Sequence, residues 1–204
     1  MNIPEWLKTD VSRETFERLE SYVALIEKWN PRINLVSKAS LANLWDRHIW
    51  DSSQIFDLEA KEGLWADFGS GGGMPAIILA IFAKEMRPNT TFHLVESDQR
   101  KCAFLRTVVR ELGLSVIVSA ERIEELAPLN ADVICARALT DLNGLLAFVE
   151  RHSADGGIAI FPKGETWQKE IGQAQEFWSF EYEVIKSQTN SDAAILKIKD
   201  IVRV

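Results

Sequence analysis

The chain has 204 residues, 47% hydrophobic and 26% charged, the proportions of a soluble globular protein with room for one substantial core. No apolar run is long enough to span a bilayer, and no secretory signal pattern is visible. Neither the two cysteines nor the three histidines have the spacing of a disulfide framework or of metal ligands. We therefore expect a reduced, cytoplasmic protein without metal or membrane contact. The net charge of −7 argues against indiscriminate nucleic-acid binding, which depends on neutralising phosphates, although it is compatible with a local basic face.

The first 60 residues are predicted to be helical. Apolar residues recur at close to helical spacing between residues 11 and 29, and we expect this helix to end at Asn30-Pro31, because proline disfavours helix at the residue before it. A second helical stretch is predicted from about Ser40, a plausible N-cap, to Phe56. We interpret residues 1–60 as an N-terminal helical extension that forms one structural unit with the main domain, residues 61–204.

From residue 64 onward, short β-rich segments alternate with helical ones. Strands are predicted at Leu64–Phe68, Thr91–Glu96, Ser115–Ser119, Asp132–Ala136, Gly157–Phe161, Phe180–Gln188 and Asp192–Lys199. Helices are predicted at residues 75–84, 99–112, 121–126, 141–152 and 165–178. This alternation indicates an α/β fold with a doubly wound, seven-stranded sheet. The short turn Thr189-Asn190-Ser191 predicts that the last two strands form an antiparallel hairpin.

The first strand runs directly into a glycine-rich turn, Asp67-Phe68-Gly69-Ser70-Gly71-Gly72-Gly73-Met74. Glycines in such a turn let the backbone adopt positive φ angles and approach a ligand closely. A dinucleotide-binding turn has a third glycine at the position of Met74, so that class of site is disfavoured. The G-x-G-x-G form at residues 69–73 is typical of S-adenosylmethionine-dependent methyltransferases. We therefore predict a cofactor site at Gly69 and Gly71, with an ordinary tight turn as the alternative.

Three further segments follow strands whose carboxyl ends should meet this cofactor. Glu96 ends the second strand, where doubly wound folds place an acidic residue on the ribose hydroxyls; the alternative is an exposed helix cap. Ile123 and Glu124 follow the third strand and could hold the adenine, or simply begin a solvated helix. Arg137 follows the fourth strand at the ligand-binding edge of the sheet, with a purely structural arginine as the alternative.

The segment after the fourth strand disfavours two methylation chemistries. Cys135-Ala136-Arg137-Ala138 contains no Asn-Pro-Pro-Tyr or Asp-Pro-Pro-Tyr sequence, which serves exocyclic and amide nitrogens, and no Pro-Cys pair for attack on pyrimidine C5. Cys135 lies within a predicted strand and is interpreted as a small buried apolar residue. A substrate atom that is already nucleophilic would need neither of these sequences.

Short motifs follow one another along the chain in a characteristic order. They are Trp29-Asn30-x-x-Ile33-Asn34-Leu35, Arg47-His48-Ile49-x-Asp51-Ser52, Asp67-x-Gly69-Ser70-Gly71-x-Gly73-Met74-Pro75, Glu96-Ser97 with Lys101 and Phe104-Leu105, Arg122-x-Glu124, Arg137-Ala138 and Lys163-Gly164. In this order and spacing the chain resembles, over nearly its whole length, the bacterial small-subunit ribosomal RNA guanine-N7 methyltransferases of the RsmG (GidB) family. Two positions depart from the family: Ala76 replaces a usual glycine, and Cys102 a common basic residue.

The resemblance implies a class I (Rossmann-like) methyltransferase fold with S-adenosylmethionine as the cofactor. It carries the family's cofactor contacts over to Gly69, Met74, Ile123, Glu124 and Arg137. The implied substrate is a guanine in the 530 loop of 16S rRNA (position 527 in the conventional numbering), methylated at N7. Because N7 has a lone pair and no proton, the reaction would depend on positioning rather than on a general base, and we assign no catalytic residue.

Basic residues in and around these motifs are candidates for contact with RNA. They are Arg32, Lys38, Arg47, His48, Lys101 and Lys163, together with a helix face of Arg100, Lys101, Arg106 and Arg110 that could equally be solvated surface. For Arg47 and Asp51 we favour the alternative of an i,i+4 ion pair, and for His48 a packing role. With a net charge of −7, we expect a monomer that recognises a structured partner, the small ribosomal subunit or an assembly intermediate, rather than free RNA.

Three rival functions stay open at this point. A nicotinamide-dependent oxidoreductase is disfavoured by Met74 and by the terminal hairpin. A methyltransferase with another substrate fits the same fold, because fold does not determine substrate. A non-catalytic ribosome assembly factor would keep the RNA-binding surface without the reaction.

Overall fold

The structure is a computed structural model that describes residues 11–204, and a seven-stranded sheet lies at its centre. The strands are β1 Leu64–Phe68, β2 Thr91–Val95, β3 Val116–Ser119, β4 Ala131–Ala136, β5 Ser153–Lys163, β6 Trp178–Lys186 and β7 Ala194–Arg203. Their order across the sheet is β3-β2-β1-β4-β5-β7-β6, and β7 runs antiparallel to both of its neighbours while the other pairs are parallel. The predicted fold class and terminal hairpin are confirmed.

Helices cover both faces of the sheet. The α-helices are α1 Arg13–Ile33, α2 Lys38–Leu41, α3 Asp51–Ser53, α4 Ala76–Met86, α5 Gln99–Leu112, α6 Leu142–His152 and α7 Trp167–Ala174. α1, α4 and α5 bury apolar side chains in one core cluster, whereas α6 and α7 contribute to a second. Within residues 11–204, no helix is long and apolar enough to cross a membrane.

The order of the strands reverses between β1 and β4. From β1 the chain continues outward to β2 and β3, while from β4 it continues in the opposite direction to β5. Connections therefore leave the carboxyl ends of β1 and β4 towards opposite sides, and a crevice opens between them. Ligands of doubly wound folds bind at such a switch point.

The first helix is longer than the sequence predicts, because α1 continues through Pro31 to Ile33. Proline in the last turn removes only one backbone hydrogen bond, and the helix recovers a cap beyond it. Asn34 adopts a left-handed conformation and its N–H donates to the carbonyl of Asn30. The Asn30 side chain in turn accepts a 2.8 Å hydrogen bond from the N–H of Val36.

Two other helix predictions differ from the structure: the stretch from Ser40 to Phe56 is helical but interrupted, and residues 121–126 are not helical. The second stretch begins with Ser37, not Ser40, as its N-cap, and is broken into α2, a π-helical turn at Trp45–Trp50, α3 and a 3-10 turn at Phe56–Leu58. Residues 121–126 form turns rather than a helix, because Pro128 follows too soon for a stable helix to develop.

Candidate active site

The glycine turn has the backbone that its sequence predicts. Gly69, Gly71 and Gly73 have φ angles of +65°, +54° and +91°, which residues with a Cβ rarely adopt. A Cβ at Gly69 would lie 2.7 Å from the side chain of Leu139, and one at Gly73 would lie 2.5 Å from that of Ile77. At Gly71 the nearest atom would be 3.7 Å away, so this residue borders open space.

Glu96 follows β2 and lies against the turn. Its Oε2 accepts a 2.8 Å hydrogen bond from the N–H of Gly71, and its Oε1 accepts one of 2.8 Å from the N–H of Asp98. The residue is buried. A carboxylate offers about four acceptor positions, so both oxygens keep acceptor capacity for further donors.

A first cleft of about 460 Å³ opens beside this carboxylate. It is lined by Gly69, Val95, Glu96, Ser97, Lys101, Glu121, Arg122, Ile123, Glu124, Ala138, Leu139, Thr140, Gly144 and Phe148. The fold thus brings together four of the predicted cofactor contacts, and Gly71 adjoins them through Glu96. Lys101, predicted to face RNA, also lines this cleft.

Ile123 and Glu124, which follow β3 in the chain, line this cleft in different ways. Ile123 is buried, and its carbonyl accepts a 2.9 Å hydrogen bond from His152. Glu124 is exposed and lies 3.8 Å from Arg122. Ile123 therefore offers a fixed apolar wall, and Glu124 a carboxylate at the rim.

Met74 and Arg137, the two other predicted contacts, do not line the first cleft. Met74 is half-buried against the core cluster of α1, α4 and α5, and its methyl group occupies the space that a Cβ at Gly72 would enter. Arg137 lines a second, larger cleft on the other side of the loop that follows β4.

The second cleft measures about 610 Å³. Its walls come from residues 40–51, the loop after β4, the end of β5, Glu170 and the hairpin turn at residues 187–190. Ala138 and Thr140 line both clefts. Ala138 has a φ angle of +51°, an uncommon conformation for a residue with a side chain. The two clefts thus meet at one loop, at the carboxyl edge of β1 and β4.

Arg137 is tied to the N-terminal segment at three points. Its guanidinium pairs with Asp51 Oδ2 at 3.2 Å, donates to the carbonyl of Arg47 at 3.2 Å and contacts His48 Nδ1 at 3.1 Å. Asp51 also accepts a 2.6 Å hydrogen bond from the hydroxyl of Thr189 in the hairpin turn. The favoured Arg47–Asp51 pair was therefore wrong, because the π-helical turn changes the angular offset of these residues and Asp51 pairs across the cleft instead.

His48 is neutral at physiological pH. Burial and then the positive charge of Arg137 lower its pKa to about 4. Because an arginine only donates, His48 Nδ1 acts as the acceptor and the ring proton is on Nε2. His48 is therefore a partner of Arg137, and its Nε2 has no hydrogen-bond partner among the described residues.

Lys163 is a structural residue of the second cleft rather than a free cation. Its ammonium pairs with Glu170 at 2.8 Å and donates to the carbonyl of Thr140 at 3.1 Å, with only 8% of the side chain exposed. Glu170 also accepts a 3.0 Å hydrogen bond from the N–H of Leu142. This pair therefore holds the loop that separates the two clefts.

The remaining basic candidates do not converge on one site. Arg32, Lys38 and Arg47 are exposed on the N-terminal segment. On α5, Arg100 pairs with Asp98 at 2.9 Å and Arg106 donates to the carbonyl of Val118, while Arg110 lies 4.0 Å from Glu111. The predicted basic face of α5 is thus largely compensated by its own neighbours.

Sequence reasoning assigned no role to Asp67, a carboxyl buried beneath the glycine turn. Only 1% of the residue is exposed, and neither carboxylate oxygen finds a hydrogen-bond partner within residues 11–204. The Ser70 hydroxyl donates to the main-chain carbonyl of Asp67 instead. Burial, together with the nearby charge of Glu96, raises the pKa of Asp67 to about 7. An acidic residue inside an otherwise apolar strand was the signal in the sequence.

Comparison with known proteins identifies the family. The model of the family described as rRNA small subunit methyltransferase G (GidB) matches residues 15–198. A protein named ribosomal RNA small subunit methyltransferase G from Ruegeria pomeroyi is 55% identical over 204 residues, which cover 100% of both chains. A protein of the same name from Cereibacter sphaeroides is 49% identical over 196 residues, which cover 96% of this chain and 95% of the relative. The chain belongs to this family.

Solved structures agree on the fold of this family member. A SAM-dependent methyltransferase from Aquifex aeolicus superposes with a TM-score of 0.60 at 13% identity, covering 88% of this chain and 98% of that one. TYW2 from M. jannaschii, solved in complex with AdoMet, superposes with a TM-score of 0.56 at 14% identity, covering 77% and 76%. The fold is that of the Rossmann-like methyltransferases, and the cofactor of this methyltransferase family member is S-adenosylmethionine.

Proposed function

We propose that this chain transfers the methyl group of S-adenosylmethionine to N7 of a guanine in the 530 loop of 16S rRNA, position 527 in the conventional numbering. The observation that carries the proposal is the meeting of two clefts at the loop 138–140. The first cleft suits the cofactor and the second a nucleobase. A methyl transfer requires its two reactants to be held side by side and in line.

The residues around the first cleft fit S-adenosylmethionine. Glu96 keeps acceptor capacity on both oxygens, which suits the two hydroxyls of a ribose. Ile123 offers an apolar wall for an adenine. Asp67 lies beneath the glycine turn and outside the lining of either cleft, where its buried carboxyl would favour a positively charged methionine end on the ligand side of that turn.

The second cleft has the chemistry expected of a guanine acceptor site. When bound, S-adenosylmethionine supplies an electrophilic methyl group, and guanine N7 attacks it without losing a proton. Neutral His48 is thus not required as a base. Arg137 retains N–H donors that its three partners leave free, and arginine commonly donates to guanine O6. N7 itself has to stay free of donors.

The charge distribution supports a structured substrate. The exposed basic side chains of Arg32, Lys38 and Arg47 lie on the N-terminal segment, yet the chain carries −7 overall. Electrostatic attraction to arbitrary RNA is therefore weak. We propose that the protein acts as a monomer in the cytoplasm, on the small ribosomal subunit or an assembly intermediate, and that the target base leaves its stack to enter the second cleft.

Methyl transfer in vitro tests the activity. Purified protein and labelled S-adenosylmethionine should methylate 30S subunits that lack the modification, and calorimetry should detect binding of S-adenosylmethionine but not NADH. Binding of the cofactor without transfer to subunits or naked 16S rRNA would favour a non-catalytic assembly factor. Label on another acceptor would favour a methyltransferase with a different substrate.

A further inference from the structure

The glycine turn is fixed on one side by β2 and the residue after it. The N–H groups of Gly69 and Ser70 donate to the carbonyl of Val95 at 2.9 and 3.2 Å. The N–H of Gly71 donates to Glu96. These contacts hold the first half of the turn, up to the peptide group that joins Ser70 to Gly71.

The second half of the turn is held from the opposite side by α1. The hydroxyl of Tyr22 donates a 2.6 Å hydrogen bond to the carbonyl of Gly72, in a fully buried setting. Burial, and then the neighbouring carboxyl of Asp67, raises the pKa of Tyr22 well above its usual value. The phenol therefore keeps its proton and remains a donor.

The peptide group between Gly72 and Gly73 is held from two directions, since its N–H donates a 2.6 Å hydrogen bond to the carbonyl of Ser70 and its carbonyl accepts the bond from Tyr22. Glycine populates φ angles of both signs, and this peptide has a glycine on each side. Loss of the Tyr22 hydroxyl would leave the carbonyl buried without that donor, which is costly. The bond to Ser70 ties this peptide to the turn itself, whereas the bond from Tyr22 ties it to α1 and gives its carbonyl a donor.

The turn lies directly against the N-terminal helical segment. A Cβ at Gly73 would be 3.2 Å from the Tyr22 hydroxyl, and one at Gly72 would be 3.6 Å from Cβ of Leu35. α1 is itself anchored, since the rings of Trp29 and Phe104 are in edge contact at 5.8 Å. The position of Tyr22 is therefore set by the core and not by the turn.

We propose that Tyr22 is a positioning residue for the cofactor: by holding the Gly72 carbonyl, it ties the half of the glycine turn that β2 does not reach to α1. The N-terminal helical extension is then part of the cofactor site and not only a platform for RNA. This inference rests on the proposed role of the turn in binding S-adenosylmethionine.

Tyr22→Phe tests the proposal, because it removes the hydroxyl and keeps the ring. The matched control is Thr15→Val on the same helix. The buried Thr15 hydroxyl donates to Glu85 and ties α1 to α4, whose contact lies away from both clefts. Affinity for S-adenosylmethionine is measured by calorimetry on the full chain, at a temperature where circular dichroism shows all variants folded.

We expect Tyr22→Phe to weaken cofactor binding about fivefold, the worth of one net hydrogen bond, while Thr15→Val binds like wild type. Equal affinity in Tyr22→Phe and wild type would overturn the inference, as would equal losses in both variants, which would indicate general loosening. A wild-type protein that does not bind S-adenosylmethionine would instead refute the cofactor assignment.

Hydrogen–deuterium exchange of the wild type takes the place of calorimetry if Tyr22→Phe does not fold. Binding of S-adenosylmethionine should then slow exchange in the α1 peptide that contains Tyr22 more than in the peptide that contains Thr15. Identical exchange with and without the cofactor would contradict the coupling.

Discussion

At the scale of single residues, the proposed cofactor site has glycines at positive φ angles and two carboxylates that differ in their hydrogen bonding. Glu96 is satisfied by two N–H donors, whereas Asp67 is buried without a partner among the described residues. The two carboxylates lie near each other, and burial together with the nearby charge of Glu96 raises the pKa of Asp67 to about 7. Each difference leads to a measurable consequence.

Gly71→Asp should abolish cofactor binding without unfolding the protein. Gly71 has a φ angle of +54° and borders open space, so an aspartate, which tolerates this conformation better than most residues, can be accommodated by the fold. Its carboxylate would crowd the ligand side of the turn beside Glu96. Calorimetry with S-adenosylmethionine and circular dichroism measure the two properties separately.

Gly156→Asp is the matched control for that variant. Gly156 also has a positive φ angle, +67°, with no atom within 4 Å of an added Cβ, and it lies in β5 away from both clefts. The control should bind S-adenosylmethionine like wild type. Unchanged affinity in Gly71→Asp would show that the cofactor does not lie on this turn.

Asp67→Asn should change how stability depends on pH. The pKa of Asp67 rises from 3.8 to about 7 on folding, so between these values the folded protein holds a proton that the unfolded chain has released. This group's contribution to stability is present below about pH 4 and is lost as the pH rises to 7, by an amount on the order of 4 kcal/mol.

Thermal melting of the wild type and Asp67→Asn from pH 4 to pH 8 measures this effect. The melting temperature of the variant, relative to wild type, should rise with pH across the window. A constant difference between the two proteins from pH 4 to pH 8 would mean that Asp67 is already ionised in the folded state.

At the scale of elements, the second cleft is assembled from segments far apart in the chain. Asp51 joins the π-helical region to Arg137 after β4 and to Thr189 in the β6–β7 turn. A second tie links Gln54 to the N–H of Gln188 at 2.7 Å. These hydrogen bonds hold the β6–β7 turn against the N-terminal segment, and Asp51 lies at the centre of the contacts.

Asp51→Asn should impair methyl transfer while leaving cofactor binding intact. Loss of the charge releases Arg137 from a partly buried pair, and we expect kcat/KM for the RNA substrate to fall about tenfold or more. Thr189→Val, which keeps the ion pair, should have a smaller effect. A fall in affinity for S-adenosylmethionine with unchanged kcat/KM for RNA would assign Arg137 to the cofactor alone.

The sequence was sufficient for the parts of the fold that local patterns determine. β1 and α5 have the predicted bounds, and the hairpin follows from a turn of three polar residues. α1 passed through Pro31 because Asn30 and Asn34 rebuild a cap that only the folded loop reveals. The sequence does contain the reason for the turns at residues 121–126, because Pro128 follows too soon for a helix, but only the fold reveals the hydrogen bond from His152 of α6 to the carbonyl of Ile123.

From the sequence, only those residues of the candidate site that belong to a recognisable motif could be predicted. Gly69, Gly71 and Glu96 lie together as expected, since the ends of adjacent parallel strands meet. The Arg137–Asp51 pair, the Lys163–Glu170 pair and the Tyr22 bond join residues that are far apart in sequence or on separate elements. Patterns of spacing along the chain contain no information about such contacts.

At the scale of the whole molecule, the N-terminal extension and the sheet domain share one core. Side chains of α1 pack in the same cluster as those of α4 and α5, and the extension contacts the glycine turn through Tyr22 and lines the second cleft through Asp51. This shared core would couple the binding of a structured RNA on the extension to the proposed cofactor site.

The central claim is the identity of the methylated atom. The most direct measurement compares 16S rRNA from cells with and without the gene, using borohydride and aniline to cleave at N7-methylguanosine and primer extension to locate the break. We predict a break in the 530 loop in cells that carry the gene, its absence in cells without it, and its restoration by the wild-type gene but not by Gly71→Asp. An identical cleavage pattern in both strains would contradict it.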